Sequence, residues 1–250
     1  MEVNWVGHAT VLIDLDGYRI LTDPLLTHRV AHLRRRRAVP DADQHDIDLI
    51  LLSHVHLDHL HLPSLRRLRP TAKVLTPAGS ARLLHKAGFA DVTEVTVGDR
   101  IDTGRAVIEV VPAAHKHGRG PHSRVTAEPV GFVVEGSGRR VYFPGDTDLF
   151  DGMAELGHID VALLPIWGWG STLGEGHLNP QRAAAATRLI QPELLVPIHW
   201  GTYAPEDGRR RLPRWFDTPP EDLRVALDDL GELQRLGLLA PGDSMTVPTR

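Results

Sequence analysis

The chain contains no cysteine, so disulfide bonds are excluded and any bound metal must be held by nitrogen and oxygen ligands. It also lacks a long apolar run. Every uninterrupted run is far shorter than the roughly 20 residues of a membrane-spanning helix. No basic start followed by an apolar core marks a signal peptide. We therefore expect a cytoplasmic protein without stable membrane anchoring.

An excess of basic charge is missing as well. The net charge is −4 with the histidines neutral, whereas a nucleic-acid-binding surface needs a basic stripe. We expect no nucleic-acid partner. The apolar content of 42% and the charged content of 24% are typical of a folded globular chain. Because no linker or low-complexity tract interrupts it, residues 1–250 are predicted to form a single domain.

Strand patterns dominate the first half of the chain, and strands alternate with helices in the second half, which predicts sheets flanked by helices in an α/β protein. Asp16-Gly17 is typical of a type I′ hairpin turn. Ser80 and Asn179 are predicted to cap helices. Thr218–Glu221 has the pattern of a capping box before a C-terminal helix.

The segment Ser53–His61 (SHVHLDHLH) places four histidines and an aspartate directly after an apolar run. In the H-x-H-x-D-H pattern within it, His54 and His56 point to the same side of an extended segment. Asp58 and His59 follow, where the chain turns and can face a second point. Two pairs of ligands aimed at neighbouring points indicate two metal ions roughly 3.5–4 Å apart.

Three further candidate ligands each follow an apolar run, which predicts that they lie on the same rim of the sheets: His115, Asp146 and His199. The first metal is then expected to be bound by His54, His56 and His115. The second is expected to be bound by Asp58, His59 and His199, with Asp146 as the bridge. Five imidazoles and two carboxylates suit Zn²⁺ first, with Mn²⁺ or Fe²⁺ as alternatives. Such a set leaves room for a hydroxide between the metals, which favours catalysis over a structural role.

The motifs around these residues resemble those of the metallo-β-lactamase superfamily. They are WVGHATVLID, ILTDP, LLSHVHLDHL, PAAHKH, FPGDT, GEGHLNP and VPIHWGTY, in this order along nearly the whole chain. The resemblance implies a four-layer αβ/βα sandwich of two mixed sheets flanked by helices. The set is most similar to the branch that contains N-acyl-phosphatidylethanolamine-hydrolysing phospholipase D and the ascorbate-6-phosphate lactonases.

By this resemblance the seven ligands fall on the positions already named, and further roles follow. Asp58 and His177 would be catalytic, while Asp23 and His8 would orient ligands from behind. The implied activity is metal-dependent hydrolysis of a phosphodiester or another small anionic ester, by a hydroxide that bridges the metals. A lactonase acting on a phosphorylated lactone and a non-catalytic metal-holding module are the alternatives.

Some residues keep two interpretations. The run Arg34–Arg37 is either a solvated loop face or a surface that attracts an anionic substrate. Trp167 and Trp169 either wall a pocket or belong to the core. Eight other histidines are interpreted as ordinary surface or interior residues: His28, His32, His45, His61, His85, His117, His122 and His158.

Overall fold

The computed structural model describes residues 1–38, 46–120, 123–206 and 212–247. His45 and His122 therefore lie outside the described residues. The strands are, in chain order, β1 (Glu2–Gly7), β2 (Thr10–Leu15), β3 (Tyr18–Thr22), β4 (Arg29–Val30), β5 (Leu33–Arg35), β6 (Leu49–Leu51), β7 (Lys73–Pro77), β8 (Val92–Val95), β9 (Arg100–Asp102), β10 (Val107–Pro112), β11 (Val130–Gly136), β12 (Arg139–Phe143), β13 (Val161–Pro165), β14 (Leu194–Ile198), β15 (Tyr203–Pro205) and β16 (Ser244–Thr246).

These strands form two large mixed sheets and a small third one. The first sheet has the order β16-β1-β2-β3-β6-β7-β8, with β3, β6, β7 and β8 parallel. The second has the order β14-β13-β12-β11-β10-β9, with β12, β13 and β14 parallel. The small sheet has the order β15-β5-β4. The β2–β3 hairpin turns through Asp16 (φ 51°) and Gly17 (φ 84°), as the predicted type I′ turn requires.

Helices cover the outer faces of the two large sheets. Alternate residues of β2 separate two clusters: Val11 and Ile13 pack in the core between the sheets, and Leu12 packs in the outer cluster. That outer cluster includes residues of α1 (Leu62–Leu65) and α2 (Ala81–His85). Residues of α3 (Pro180–Ile190) and α4 (Pro219–Asp229) join the core cluster from the other side. The predicted four-layer sandwich is confirmed.

The predicted helix caps have different outcomes. Asn179 caps α3, because its side chain accepts a hydrogen bond from the backbone N–H of Arg182 at 2.9 Å. The cap predicted at Ser80 is wrong, since the Ser80 hydroxyl donates to the carbonyl of Pro77. The carboxylate of Glu94, a residue of β8, accepts from the backbone near the start of α2 instead.

The predicted capping box is also wrong. Thr218 makes no side-chain cap, and Glu221 pairs with Arg224 on the exposed face of α4. The helix ends at Asp229, and a short 3₁₀ turn at Leu233–Arg235 follows. In the described part of the chain, none of the helices has the length and apolar character that a membrane crossing needs.

Candidate metal centre

The first predicted ligand set lies together just beyond the ends of β6 and β10. The Nδ1 atom of His56 is 3.0 Å from the Nε2 atoms of both His54 and His115. The donor atoms of the three residues lie within 4.8 Å of one another. His54 is fully buried, while His56 and His115 are half-buried.

The second predicted set lies beside the first. The Nε2 atoms of His59 and His199 are 3.3 Å apart, and an Asp58 oxygen is 3.9 Å from His59 Nε2. His8 joins this set, because its Nε2 atom is 3.1 Å from the Asp58 carboxylate. Donor atoms of all four residues lie within 4.8 Å of one another.

Asp146 lies between the two sets. One carboxylate oxygen is 3.3 Å from Nε2 of His59, and the other is 3.2 Å from Nε2 of His199. A further grouping of donor atoms within 4.8 Å joins Asp146 to His115 and His177. The structure thus brings all seven predicted ligands together, with Asp146 where a bridge is expected. That each of them binds a metal stays a prediction.

Four of the five imidazoles are oriented by hydrogen bonds that their Nδ1 atoms make on the side of the ring opposite the other predicted ligands. Each Nδ1 atom has an oxygen partner at 2.7–2.9 Å that accepts its proton. In a neutral imidazole the Nε2 atom then carries the lone pair and faces the cluster. The pairs are His54 with the Ser53 hydroxyl, His59 with Asp23, His115 with the carbonyl of Gly176 and His199 with the carbonyl of Trp167.

This arrangement fits divalent metal ions. Unprotonated nitrogens only 3.0–3.3 Å apart repel one another when no proton or cation lies between them. Among the described residues the buried Oδ1 atom of Asp146 finds no hydrogen-bond partner, which is costly for a carboxylate oxygen unless a cation neutralises it. Imidazole nitrogen and carboxylate oxygen are both ligands of Zn²⁺. The donor set is therefore compatible with divalent metal ions, and Zn²⁺ as the metal stays a prediction.

Burial keeps most of these imidazoles neutral, as metal binding requires. It lowers the pKa of His199 to about 3 and the pKa of His115 to about 4. The exception is His59. Burial alone would lower its pKa, but the carboxylates of Asp146, Asp58 and Asp23 raise the pKa well above the ordinary value.

Ser53 is a functional candidate that the sequence analysis missed. Its hydroxyl donates to Asp23 Oδ2 at 2.5 Å, and its backbone N–H donates to Asp23 Oδ1 at 2.8 Å. Asp23 therefore orients His59 directly and orients His54 through Ser53. The only signal in the sequence is position, because Ser53 immediately precedes His54.

Close packing around Ser53 requires glycine at position 145. A Cβ atom built there would lie 2.2 Å from the Ser53 hydroxyl oxygen, and Gly145 also has a φ of 63°. Left-handed backbone recurs nearby at His8 (φ 56°), Asp23 (φ 31°) and His199 (φ 64°). Such conformations persist where the surroundings hold them, and they cluster at functional sites.

His8 contacts a carboxylate as well as a ligand histidine. Its ring centroid is 3.8 Å from that of His199, and its Nε2 atom contacts Asp58. The backbone N–H of His8 donates to Thr202 Oγ1, and its carbonyl accepts from the backbone N–H of His199. His8 therefore contacts both Asp58 and His199, and its role in orienting metal ligands stays a prediction.

A cavity of about 700 Å³ opens onto the cluster. At one end it is lined by His56, Asp58, Asp146 and His177. His177 Nε2 is 3.4 Å from the Asp146 carboxylate. Burial alone would lower the pKa of His177, but that carboxylate raises it. The remaining walls are mostly apolar, with one cation: Val30, Ala31, Leu33, Leu57 and Trp169, together with His32, Arg119, Gly120 and Ser123.

The run Arg34–Arg37 lies outside the cavity lining. Arg34 pairs with Glu206, and Arg37 pairs with Asp217. Arg35 is buried and donates to the carbonyls of Leu25 and Val6. None of the four arginines lines the cavity, so the run holds the small sheet and its neighbours together.

The two tryptophans have different locations: Trp167 packs against the core, whereas Trp169 lines the cavity together with His32. Trp167 packs against the core, and its indole N–H donates to the carbonyl of Gly170. Trp169 is 36% exposed and lines the cavity, with the ring of His32 against it at 5.1 Å. His32, interpreted from the sequence as an ordinary histidine, is therefore a cavity residue.

Comparisons with known proteins agree with this architecture. Residues 18–200 match the model of the beta-lactamase superfamily domain. A metal-dependent hydrolase of Methanopyrus kandleri is 32% identical over 98% of this chain and 99% of that protein. N-acyl-phosphatidylethanolamine-hydrolyzing phospholipase D 1 of Caenorhabditis elegans is 33% identical, over 80% of this chain and 63% of that protein. A solved metallo hydrolase of Ignicoccus hospitalis has a TM-score of 0.75 and 25% identity over 100% of this chain and 99% of that chain.

We expect Ser53→Ala to weaken metal binding by about 10- to 100-fold, because His54 and Asp23 both lose a hydrogen-bond partner that fixes their orientation. Isothermal titration of metal-free protein with Zn²⁺ measures the change. Ser123→Ala is the matched control, since that serine lines the cavity and lies away from Asp23. Equal affinity in the Ser53 variant and the wild type would contradict the role.

We also expect the metal-free protein to lose stability as the pH falls from 7 to 5, at pH values still above those at which most carboxylates titrate. Unfolded histidines titrate near pH 6.5, whereas folded His115 and His199 do so at about 4 and about 3. The unfolded state therefore takes up protons first as the pH falls below 6.5. At pH 5 the free energy of unfolding should be lower by about 2 kcal/mol for each of these groups.

Urea unfolding at pH 7 and pH 5 measures this loss. His199→Asn should reduce it, and asparagine tolerates the positive φ at that position. Exposed His28→Asn is the control and should leave it unchanged. A free energy of unfolding that stays constant between pH 7 and pH 5 would contradict the burial of neutral imidazoles.

Proposed function

We propose that this chain, which belongs to the beta-lactamase superfamily and is a metal-dependent hydrolase, binds two divalent metal ions and cleaves a phosphodiester or another small anionic ester. The observation that carries the proposal is Asp146, which lies between the two donor sets and has an orphaned buried oxygen. Such a carboxylate can be shared by two cations, because its oxygens contact His59 and His199 of the second set and a donor atom also lies within 4.8 Å of His115 of the first set.

The first ion would be held by His54, His56 and His115, and the second by Asp58, His59 and His199, with Asp146 shared. When bound, the ions would supply Lewis acidity and lower the pKa of water toward about 7. With two divalent ions and two carboxylates the site has a charge of +2, which favours an anionic substrate and a transition state that gains negative charge.

Asp58 is placed to act on the attacking water. Its carboxylate lines the cavity, and His8 holds one of its oxygens at 3.1 Å. The contact with His8 fixes the carboxylate, which can then accept a hydrogen bond from water and aim the water at the substrate. Burial would raise the pKa of Asp58, but His59 and His8 lower it well below the usual value, so the group is ionised.

His177 is placed to donate the proton at the end of the reaction. It lines the cavity, its Nδ1 proton is accepted by the carbonyl of Gly174, and its Nε2 atom faces Asp146. In the metal-free protein the Asp146 carboxylate raises the pKa of His177, so Nε2 keeps its proton nearer to neutral pH than an ordinary histidine does. That proton can be transferred to the departing oxygen of the ester.

The phosphodiester is preferred over the lactone because of likeness to a relative. The Caenorhabditis elegans protein is named as a phospholipase D, which is a class of enzyme that cleaves phosphodiesters. The cavity, with apolar Leu57 and Trp169 on its walls, also has room for an organic substituent. The non-catalytic module is not retained, because the chain is a hydrolase.

We expect the Zn²⁺- or Mn²⁺-loaded protein to hydrolyse bis(4-nitrophenyl) phosphate and to prefer it over a panel of lactones. Asp58→Asn and His54→Ala should lower kcat/KM at least about 100-fold, since removing a ligand or the water-orienting carboxylate removes transition-state stabilisation. Exposed His28→Ala is the control. Full activity in both site variants would overturn the mechanism, and turnover of lactones alone would favour the lactonase.

We expect His177→Gln to act selectively on poor leaving groups. General acid catalysis contributes about 10²- to 10⁴-fold where the departing oxygen needs a proton, whereas 4-nitrophenolate departs without one. The loss of kcat should therefore be large for a dialkyl phosphate or alkyl ester and small for the 4-nitrophenyl ester of the same acid. Equal losses on both substrates would show that His177 has no role as an acid.

A further inference from the structure

The cavity contains one arginine, Arg119, in the loop between β10 and β11. Its Nη1 atom donates to the carbonyls of Val55 and Leu60, at 2.9 and 3.1 Å. Both carbonyls belong to Ser53–His61, the segment that carries four of the seven predicted ligands. The guanidinium is therefore fixed beside the cluster, and its position does not depend on a flexible surface side chain.

Three of the five N–H donors of the guanidinium have no hydrogen-bond partner among the described residues. The two N–H groups of Nη1 serve the two carbonyls, which leaves Nη2 and Nε. Within the described ranges these two atoms make no hydrogen bond, and they are not among the buried unpaired atoms, so solvent reaches them. Two adjacent nitrogens of this kind form the planar fork that binds a carboxylate or phosphate through two hydrogen bonds.

The charge of Arg119 is also uncompensated. Arg34 and Arg37, by contrast, have the carboxylate partners Glu206 and Asp217. No carboxylate of the described residues lies within 4.0 Å of the Arg119 guanidinium. Burial lowers the pKa of Arg119, but a guanidinium stays charged at neutral pH. A half-buried cation without an anionic partner is unusual, because a charge removed from water is normally paired with an opposite charge.

We propose that Arg119 binds a second anionic group of the substrate, one separate from the bond that is cleaved. A substrate that lies along the cavity would contact Asp58 and His177 with its reacting end and Arg119 with its second anionic group. The apolar side chains of Leu57 and Trp169 line the same cavity and suit a hydrocarbon spacer. The substrate class is then an ester that carries a carboxylate or a phosphate on an apolar segment. This inference rests on the proposed function for the identity of the reacting end.

Binding of phosphonates to the Zn²⁺-loaded protein tests the proposal without requiring turnover. The phosphonate occupies the reacting end, and a second anion on two-, three- or four-carbon chains probes the distance to Arg119. Isothermal titration compares phosphonoacetate, 3-phosphonopropionate and 4-phosphonobutyrate with alkylphosphonates of equal length. Propane-1,3-diphosphonate replaces the carboxylate with a phosphonate and so distinguishes the two anions.

We expect at least one doubly anionic probe to bind about tenfold or more tightly than its alkyl counterpart. Arg119→Gln should bring this ratio close to one, and Arg119→Lys, which keeps the charge, should retain part of it. Arg34→Gln is the matched control and should keep the wild-type ratio, because Arg34 lies outside the cavity. Zinc content is measured in every sample.

Two results would overturn the proposal. One is a ratio that is the same in the wild type and Arg119→Gln. The other is a parallel loss of zinc and of affinity for all probes in both Arg119 variants, which would show that the residue acts only through the carbonyls of Val55 and Leu60. A protein that hydrolyses no ester but keeps the Arg119-dependent ratio would overturn the proposed function and support this inference.

Discussion

The buried carboxylate of Asp23 is the contact on which the rest of the site depends. It lies just beyond β3, and its own backbone N–H bonds to the carbonyl of Leu51 at the end of the parallel strand β6. Its two oxygens accept from the backbone and hydroxyl of Ser53 and from His59. One side chain therefore joins two strand ends and sets the imidazoles of both donor sets, so the geometry of the two predicted metal sites is not independent.

Burial and neighbouring charges set the protonation states of the predicted ligands. Five imidazoles crowded into a buried site would repel one another as cations, and burial keeps His54, His115 and His199 neutral. Asp58 and Asp146 remain ionised because of the histidines beside them, notably His59. Neutral nitrogen and ionised oxygen are the protonation states that a divalent cation needs. Apart from His59, whose raised pKa means that a metal ion must displace a proton, the metal-free site already has the protonation states in which it would bind.

Strand periodicity predicts sheets flanked by helices and a common rim for the candidate ligands, whereas the four-layer arrangement is implied by the family resemblance. Each proposed ligand follows a run of apolar residues, and parallel strands such as β12, β13 and β14 end at the same edge of a sheet. Ser53 and Arg119 escaped prediction because their roles depend on contacts across the fold, with Arg119 lying about sixty residues from the carbonyls it binds. The arginine run kept two interpretations for the same reason, since the partner of Arg34, Glu206, is far along the chain.

Strain and unpaired polar atoms at the site imply that metal binding and folding are linked. His8, Asp23 and His199 adopt left-handed backbone, and Asp146 has a buried oxygen without a partner. Each of these features costs about 1–3 kcal/mol in an ordinary protein. They are tolerated because the two large sheets pack tightly around Trp5, Phe132 and Tyr142 and hold the rim in place. A cation that satisfied Asp146 and separated the imidazole nitrogens would remove part of that cost in the folded state alone, so metal binding would also stabilise the fold.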